Sequence, residues 1–229
     1  MAIYDFDLLT TEILQHGTQL LKLVDLTYVD YSHSQTITLM ESLHRICPNL
    51  AKISICTADH LPFEAIQALL KCPALVEIIS EGCIFMGLED IVTVATNRPS
   101  WQVINLTSTG PLSYQALIPF AQNCPDLYRL GLKLDSKLGI PDPTTFTTDV
   151  KFSSLTSLGV GGSEPTPDFE LTLFLSKICS KPIKIIDHYS REWRTFEKLV
   201  NFHITTQLEI RTLKEEIMLL RTQKCNNDS

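Results

Sequence analysis

No stretch of this chain approaches the ~18 consecutive apolar residues that a membrane-spanning helix needs, and no charged-then-apolar segment of the secretory kind opens it. There is no basic excess: 19 Lys and Arg face 26 Asp and Glu, for a net charge of −7. Nucleic acid and anionic membrane both need a dense basic face, so neither is expected as a partner. No Cys-x-x-Cys pair of the zinc-binding kind occurs. The histidines (His16, His33, His44, His60, His188, His203) never fall at His-x-x-x-His spacing. No Gly-x-Ser-x-Gly elbow is present. Gly159-Val160-Gly161-Gly162 lacks both the Lys-Ser/Thr of a phosphate loop and the third glycine of a dinucleotide fingerprint. With these patterns missing, no catalytic constellation emerges, and the expectation is a protein that is not an enzyme and holds no metal or cofactor. The seven cysteines are odd in number in a chain of 229 residues, which speaks against a disulfide framework and for a reducing compartment, cytoplasm or nucleus.

What the sequence does contain is a repeat. Cys124-Pro125-Asp126-Leu127-Tyr128-Arg129-Leu130-Gly131-Leu132 holds the frame Leu-x-x-Leu-x-Leu, and related copies begin at Cys47-Pro48, Cys72-Pro73 and Arg98-Pro99. The first apolar positions fall at Leu21, Leu50, Leu75, Trp101, Leu127 and Leu155, at intervals of 29, 25, 26, 26 and 28 residues. The second are Val24, Ile53, Ile78, Ile104, Leu130 and Leu158, and the third Leu26, Ile55, Ser80, Leu106, Leu132 and Val160. Only Ser80 is polar. A final, weaker copy starts near Pro182 with Ile185 in the frame. Alternation of this kind predicts a short strand in each copy.

Between the frames the spacing turns helical. The stripes are Ile37, Met40, Leu43 and Ile46; Ile66, Leu69 and Leu70; Leu88, Ile91, Val92 and Ala95; Leu117, Phe120 and Ala121, where Pro119 is expected to disturb or shift the helix; and Leu171, Phe174, Leu175 and Ile178 after an N-cap region at Asp168. The residue before a proline avoids helical angles, so each Cys-Pro or Arg-Pro pair stops a helix and starts the next strand. The cysteines at 47, 72, 124 and 179 are therefore read as small packing residues. One strand and one helix per repeat cannot bury their own apolar faces, so the copies must stack. The expected fold is an α/β solenoid over residues 1–189, with a parallel inner sheet and outer helices. Gly139 to Thr148 replaces one helix with an irregular connection, and Gly159 to Pro165 forms a second loop. Phe6, Leu9, Ile13 and Leu14 suggest a helix ahead of the first strand, and residues 1–20 read as the remnant of a longer protein.

Residues 190–229 differ. From Ser190 to about Lys224 there is neither Gly nor Pro, which predicts one long helix. Phe196, Leu199, His203, Thr206, Ile210, Leu213, Ile217 and Leu220 alternate at three and four, a heptad seam. Two readings stay open: the helix folds back as a cap over the last repeat, or it pairs with a second copy as a homodimer through 190–224.

The pattern Cys-Pro-x-Leu-x-x-Leu-x-Leu, with Cys83 three residues after Ser80 and Ala58 and Thr109 at the matching places, resembles leucine-rich repeat proteins of the cysteine-containing class. The resemblance covers residues 17 to 187. Irregular intervals and drift away from Leu are similar to the repeat arms of fungal F-box proteins. That resemblance implies a horseshoe solenoid whose repeats hold a substrate for a ubiquitin ligase, with an F-box ahead of them docking the Skp adaptor and cullin. Residues 1–16 are too short to hold an F-box, so the ligase role rests on analogy of fold.

In each frame the residues between the apolar positions point away from the core. Those expected to meet a protein partner on the concave face are Lys52, Glu77, Ile79, Val103, Asn105, Arg129 and Lys133, acidic toward one end, apolar at Ile79 and Val103, and basic at Arg129 and Lys133.

Overall fold

The computed structural model describes residues 2–3, 24–30, 33–57, 61–80, 87–106, 110–142, 144, 150–161, 169–186 and 191–227. Eight strands form one sheet: β1 (Ala2–Ile3), β2 (Asp25–Asp30), β3 (Lys52–Thr57), β4 (Glu77–Ser80), β5 (Val103–Leu106), β6 (Arg129–Leu132), β7 (Ser157–Gly159) and β8 (Lys184–Ile186). Their spatial order is their chain order, and every neighbouring pair is parallel. The helices among the described residues are α1 (His33–Ile46), α2 (Phe63–Leu69), α3 (Leu88–Asn97), α4 (Leu117–Asn123), α5 (Phe169–Ile178) and the long α6 (Arg191–Asn227). The chain is thus an α/β protein with a parallel sheet and a long C-terminal helix.

Parallel neighbours joined in chain order require crossovers of one hand, which puts the connecting helices on one side of the sheet. Burial agrees. Ile53, Ile78, Ile104, Leu130 and Leu158 share one continuous core with Leu43, Ile66, Ile91, Phe120 and Leu175 of the helices. Leu26, Ile53, Ile78, Ile104, Leu130, Leu158 and Ile185 are Cα partners from strand to strand.

This register corrects the first frame. Leu26 pairs with Ile53, so Leu26 and not Val24 is the second core position. Val24 is 49% exposed. Its carbonyl accepts from the N–H groups of Ala51 (2.8 Å) and Lys52 (3.0 Å), as the carbonyls of Ala51, Val76, Gln102 and Tyr128 do one repeat later each. Apolar residues two apart, here Val24 and Leu26, fit the frame in either phase, and only strand pairing chooses between them. The two-residue strand β1 beside β2 had no counterpart in the repeat pattern.

The Cys-Pro turns behave as the residue types demand. The carbonyls of Cys47, Cys72 and Cys124 accept from Leu50 (3.0 Å), Leu75 (3.3 Å) and Leu127 (3.2 Å). Proline sits second in each four-residue turn, where its fixed φ fits. Burial pushes the thiols of Cys47 and Cys72 up to about 11 and those of Cys124 and Cys179 up to about 12. The Cys124 thiol donates to the Ala95 carbonyl at 3.5 Å, meeting an acceptor left open at the end of α3. Where the third copy has arginine instead, the Arg98 guanidinium does the same for α2, donating to the carbonyls of Leu70 (2.8 Å), Pro73 (3.2 Å) and Leu75 (2.8 Å). It stacks 5.7 Å from the Trp101 ring. Arg98 and Cys124, each the residue before a turn proline, thus tie one repeat to the helix end of the one before.

The helix on 88–97 is rotated by a residue from its expected stripe: Ile91, Val94 and Ala95 are buried, while Leu88 and Val92 are each 41% exposed. On this buried side the Val94 carbonyl accepts from the buried Trp101 indole N–H (3.0 Å). A 3-10 turn at Tyr114–Ala116 precedes α4, so Pro119 falls in the first α-helical turn, where a missing N–H costs nothing. Among the described residues no α-helix lies between β6 and β7. The proposed helix through Phe6, Leu9, Ile13 and Leu14, and the positions of Leu21, Ala58, Cys83, Thr109 and Asp168, lie outside the described residues.

The start of α6 covers the last strand. Trp193, Phe196, Val200 and Ile204 join the core. The Asn201 side chain accepts from the Ile183 N–H (2.9 Å) and donates to the Ile183 carbonyl (2.8 Å), and a Glu197 carboxylate oxygen accepts from the Ile185 N–H (2.7 Å). An exposed edge strand invites pairing with another chain, and these bonds occupy the groups that would do it. Of the heptad seam only its first residue, Phe196, docks; the next, Leu199, is 50% exposed. Among the described residues no helix is long and apolar enough to cross a membrane.

Candidate functional site

The sheet face turned away from the helices carries the residues expected to meet a partner. Its first row runs Asp25, Lys52, Glu77, Val103, Arg129, Ser157 and Lys184, each the Cα partner of the next. The second row runs Thr27, Ser54, Ile79, Asn105, Gly131 and Gly159. Six expected contact residues therefore fall on a single continuous lattice, Lys52, Glu77, Val103 and Arg129 in the first row and Ile79 and Asn105 in the second, with strands about 4.8 Å apart.

The two ends of the lattice differ electrostatically. At one end the Lys52 ammonium lies 2.8 Å from the Glu77 carboxylate, and that hydrogen bond raises the Lys52 pKa. The pair neutralises itself. Toward the other end stand Arg129, Lys184 and Lys133, which form no ion pair with any of the described residues. Arg129 and Lys133 are four residues apart along one strand direction, or about 13 Å, so they bracket a site and do not form a single cationic point. Between them Gly131, which is buried, and its half-buried partner Gly159 carry no side chains.

Val103 departs from expectation. It lies on this face and outside the continuous core, yet is only 4% exposed. Its row neighbours are the long side chains of Glu77 and Arg129, which leave little of a shorter residue in view. Ile79 and Asn105 are half-buried and Arg129 is exposed. Lys184 is the residue that the sequence pattern missed. Extending the frame one position back from Ile185 would have found it.

The position of Lys133 is fixed from behind. Gly161 has φ +63°, and a Cβ built there would lie 2.7 Å from the Lys133 Cα. Only glycine permits both that backbone conformation and that approach. On the same face Cys56 is exposed, in contrast to the four buried cysteines. Among the described residues no group of three His, Cys, Asp or Glu side chains is placed to hold a metal ion. On the helix side, Leu88, Val92, Ile118 and Pro119 line an open apolar depression of about 330 Å³ beside Pro141 and Asp142.

No protein-family model matches this chain, and no curated protein matches it.

Proposed function

We propose that the chain is a leucine-rich repeat solenoid without chemistry of its own, which holds a protein partner against the open face of its sheet. The observation that supports this best is the asymmetry of that face. Lys52 and Glu77 satisfy each other, whereas Arg129, Lys133 and Lys184 are left unpaired among the described residues, with the side-chain-free pair Gly131 and Gly159 nearby. A partner segment with acidic side chains would complete them. Charge-assisted contacts of this kind give specificity and on-rate, and exposed ones weaken with salt.

The resemblance to the repeat arms of F-box proteins extends the proposal. The partner is then a substrate for ubiquitination, and the Skp adaptor and cullin are reached through an F-box elsewhere in the gene product. This extension rests on the resemblance alone and has its own test, co-purification of the full-length product with Skp and cullin. A product that binds neither removes the ligase role and leaves the interaction role standing.

The interaction role is tested by the double substitution Arg129→Glu and Lys133→Glu, with partner capture compared at matched folded content by circular dichroism. The expected result is loss of the captured partner, with Lys184→Glu weakening it further when combined with either single change. Unchanged capture by the double variant would show that this face is not the site.

A further inference from the structure

The far half of α6 carries a second apolar stripe that the fold does not use. Trp193, Phe196, Val200 and Ile204 point into the core at 2% exposure or less. From residue 207 to 222 every side chain is exposed. Ile210 (47%), Leu213 (56%), Ile217 (49%) and Leu220 (64%) lie on one stripe that begins at the exposed Leu199. At 100° per residue this stripe sits roughly 120° around the helix from the docked one. One face of α6 can therefore cap the last repeat while the other meets something else. A helical segment without tertiary packing is marginal in water, so the stripe needs a cover.

We infer that the cover is the same segment of a second copy, in a parallel, in-register two-stranded coiled coil. The stripe spacing of three and four places Ile210 and Ile217 at a positions and Leu213 and Leu220 at d positions. β-branched residues at a with leucine at d favour two parallel strands. The flanking charges make the same choice. Glu209 and Glu216 fall at g positions, and Lys214 and Arg221 at e positions. In a parallel pair each g residue faces the e residue five positions on in the other helix. Glu209 then meets Lys214 of the second copy, and Glu216 meets Arg221, twice over by symmetry. In an antiparallel pair g faces g and e faces e, which sets Glu against Glu and Lys against Arg. Among the described residues none of these four charges has an ion pair within its own chain, whereas Arg211 and Glu215 bond to each other (3.1 Å) at outward b and f positions. The charges at the seam are free and complementary to a second copy, and the pair inside the chain lies away from it.

A dimer of this kind would carry two open sheet faces in one particle. A partner with two acidic segments would then bind by avidity, with no new contact needed.

Sedimentation or light scattering on the full chain should show concentration-dependent association from 25.8 kDa to twice that mass. Leu213→Asp with Ile217→Asp should abolish it while the repeat domain stays folded by circular dichroism, because both residues are exposed in the single chain. Lys214→Glu with Arg221→Glu, and separately Glu209→Lys with Glu216→Lys, should each give monomers, and mixing the two variants should restore a dimer. Leu220→Cys under mild oxidation should give a disulfide-linked dimer above the wild-type background, since d positions face each other only in the parallel register. A chain that stays monomeric at high micromolar concentration, a dimer that survives the aspartate substitutions, a trimer, or a dimer that Leu220→Cys does not cross-link would each overturn the inference.

Discussion

On the helix side of the sheet, the paired row Leu26, Ile53, Ile78, Ile104, Leu130, Leu158 and Ile185 is aliphatic at every strand. One residue earlier, on the other side, the row reads Asp25, Lys52, Glu77, Val103, Arg129, Ser157 and Lys184. The same backbone hydrogen bonds hold both rows. Packing density restricts the first to branched apolar side chains, while solvent leaves the second free to vary. The second row is therefore free to differ from strand to strand, and the substitutions that separate the two faces are the informative ones.

Thiol labelling gives the widest contrast. Cys56 is exposed, while Cys47, Cys72, Cys124 and Cys179 are buried with raised thiol pKa values. Burial is undone only by opening, and where opening costs ~4 kcal/mol or more, labelling slows at least about a thousand-fold. Mass spectrometry after brief exposure to a maleimide should find Cys56 modified and the other four untouched. Modification of Cys124 at the rate of Cys56 would break the two-face description.

Leu130→Ala and Arg129→Ala test the same contrast in energy at adjacent residues. Leu130 is fully buried, and its truncation should cost about 2–5 kcal/mol. Arg129→Ala should stay within about 0.5 kcal/mol, and its effect should appear in partner binding. Denaturant midpoints at constant slope report the first, and titration of the captured partner reports the second. Equal destabilisation by both would mean that Arg129 is part of the scaffold.

Gly161→Ala should come next, at about 1–3 kcal/mol, because it forces a side chain into a left-handed backbone and against the Lys133 Cα. It also sharpens the comparison. A strained scaffold residue moves Lys133, so partner binding should fall together with stability, unlike the Arg129→Ala case.

Much of this was legible from residue types. The spacing of Ile53, Ile78, Ile104, Leu130 and Leu158 locates five strands, and Cys-Pro pairs mark three turns, because those features are local. What needed the third dimension was pairing. Val24 and Leu26 both satisfy the frame by letter, and the partner Ile53 decides between them. Val103 is an apolar letter on an open face, and its burial depends on residues one strand away on each side. In α6 the heptad seam is continuous in sequence, yet docking uses Trp193, Val200 and Ile204 from outside it, since a cap follows the 3.6-residue period of a straight helix and a coiled coil follows 3.5.

The smallest effect tests where cap and free helix divide. Asn201 makes both of its hydrogen bonds to Ile183 (2.9 and 2.8 Å) at the open edge of β8. Asn201→Ala leaves an N–H and a carbonyl there unpaired in a half-buried place, at about 1–2 kcal/mol. Hydrogen exchange should speed up at the Ile183 amide, while the Ile185 amide, held by Glu197, changes less. Ten or so residues further along, Leu213→Ala should leave both amides untouched, because that part of the helix supports no strand. If Asn201→Ala leaves Ile183 protected, something other than the cap guards the edge. Substituting Glu197 would then show whether the carboxylate alone holds β8 closed.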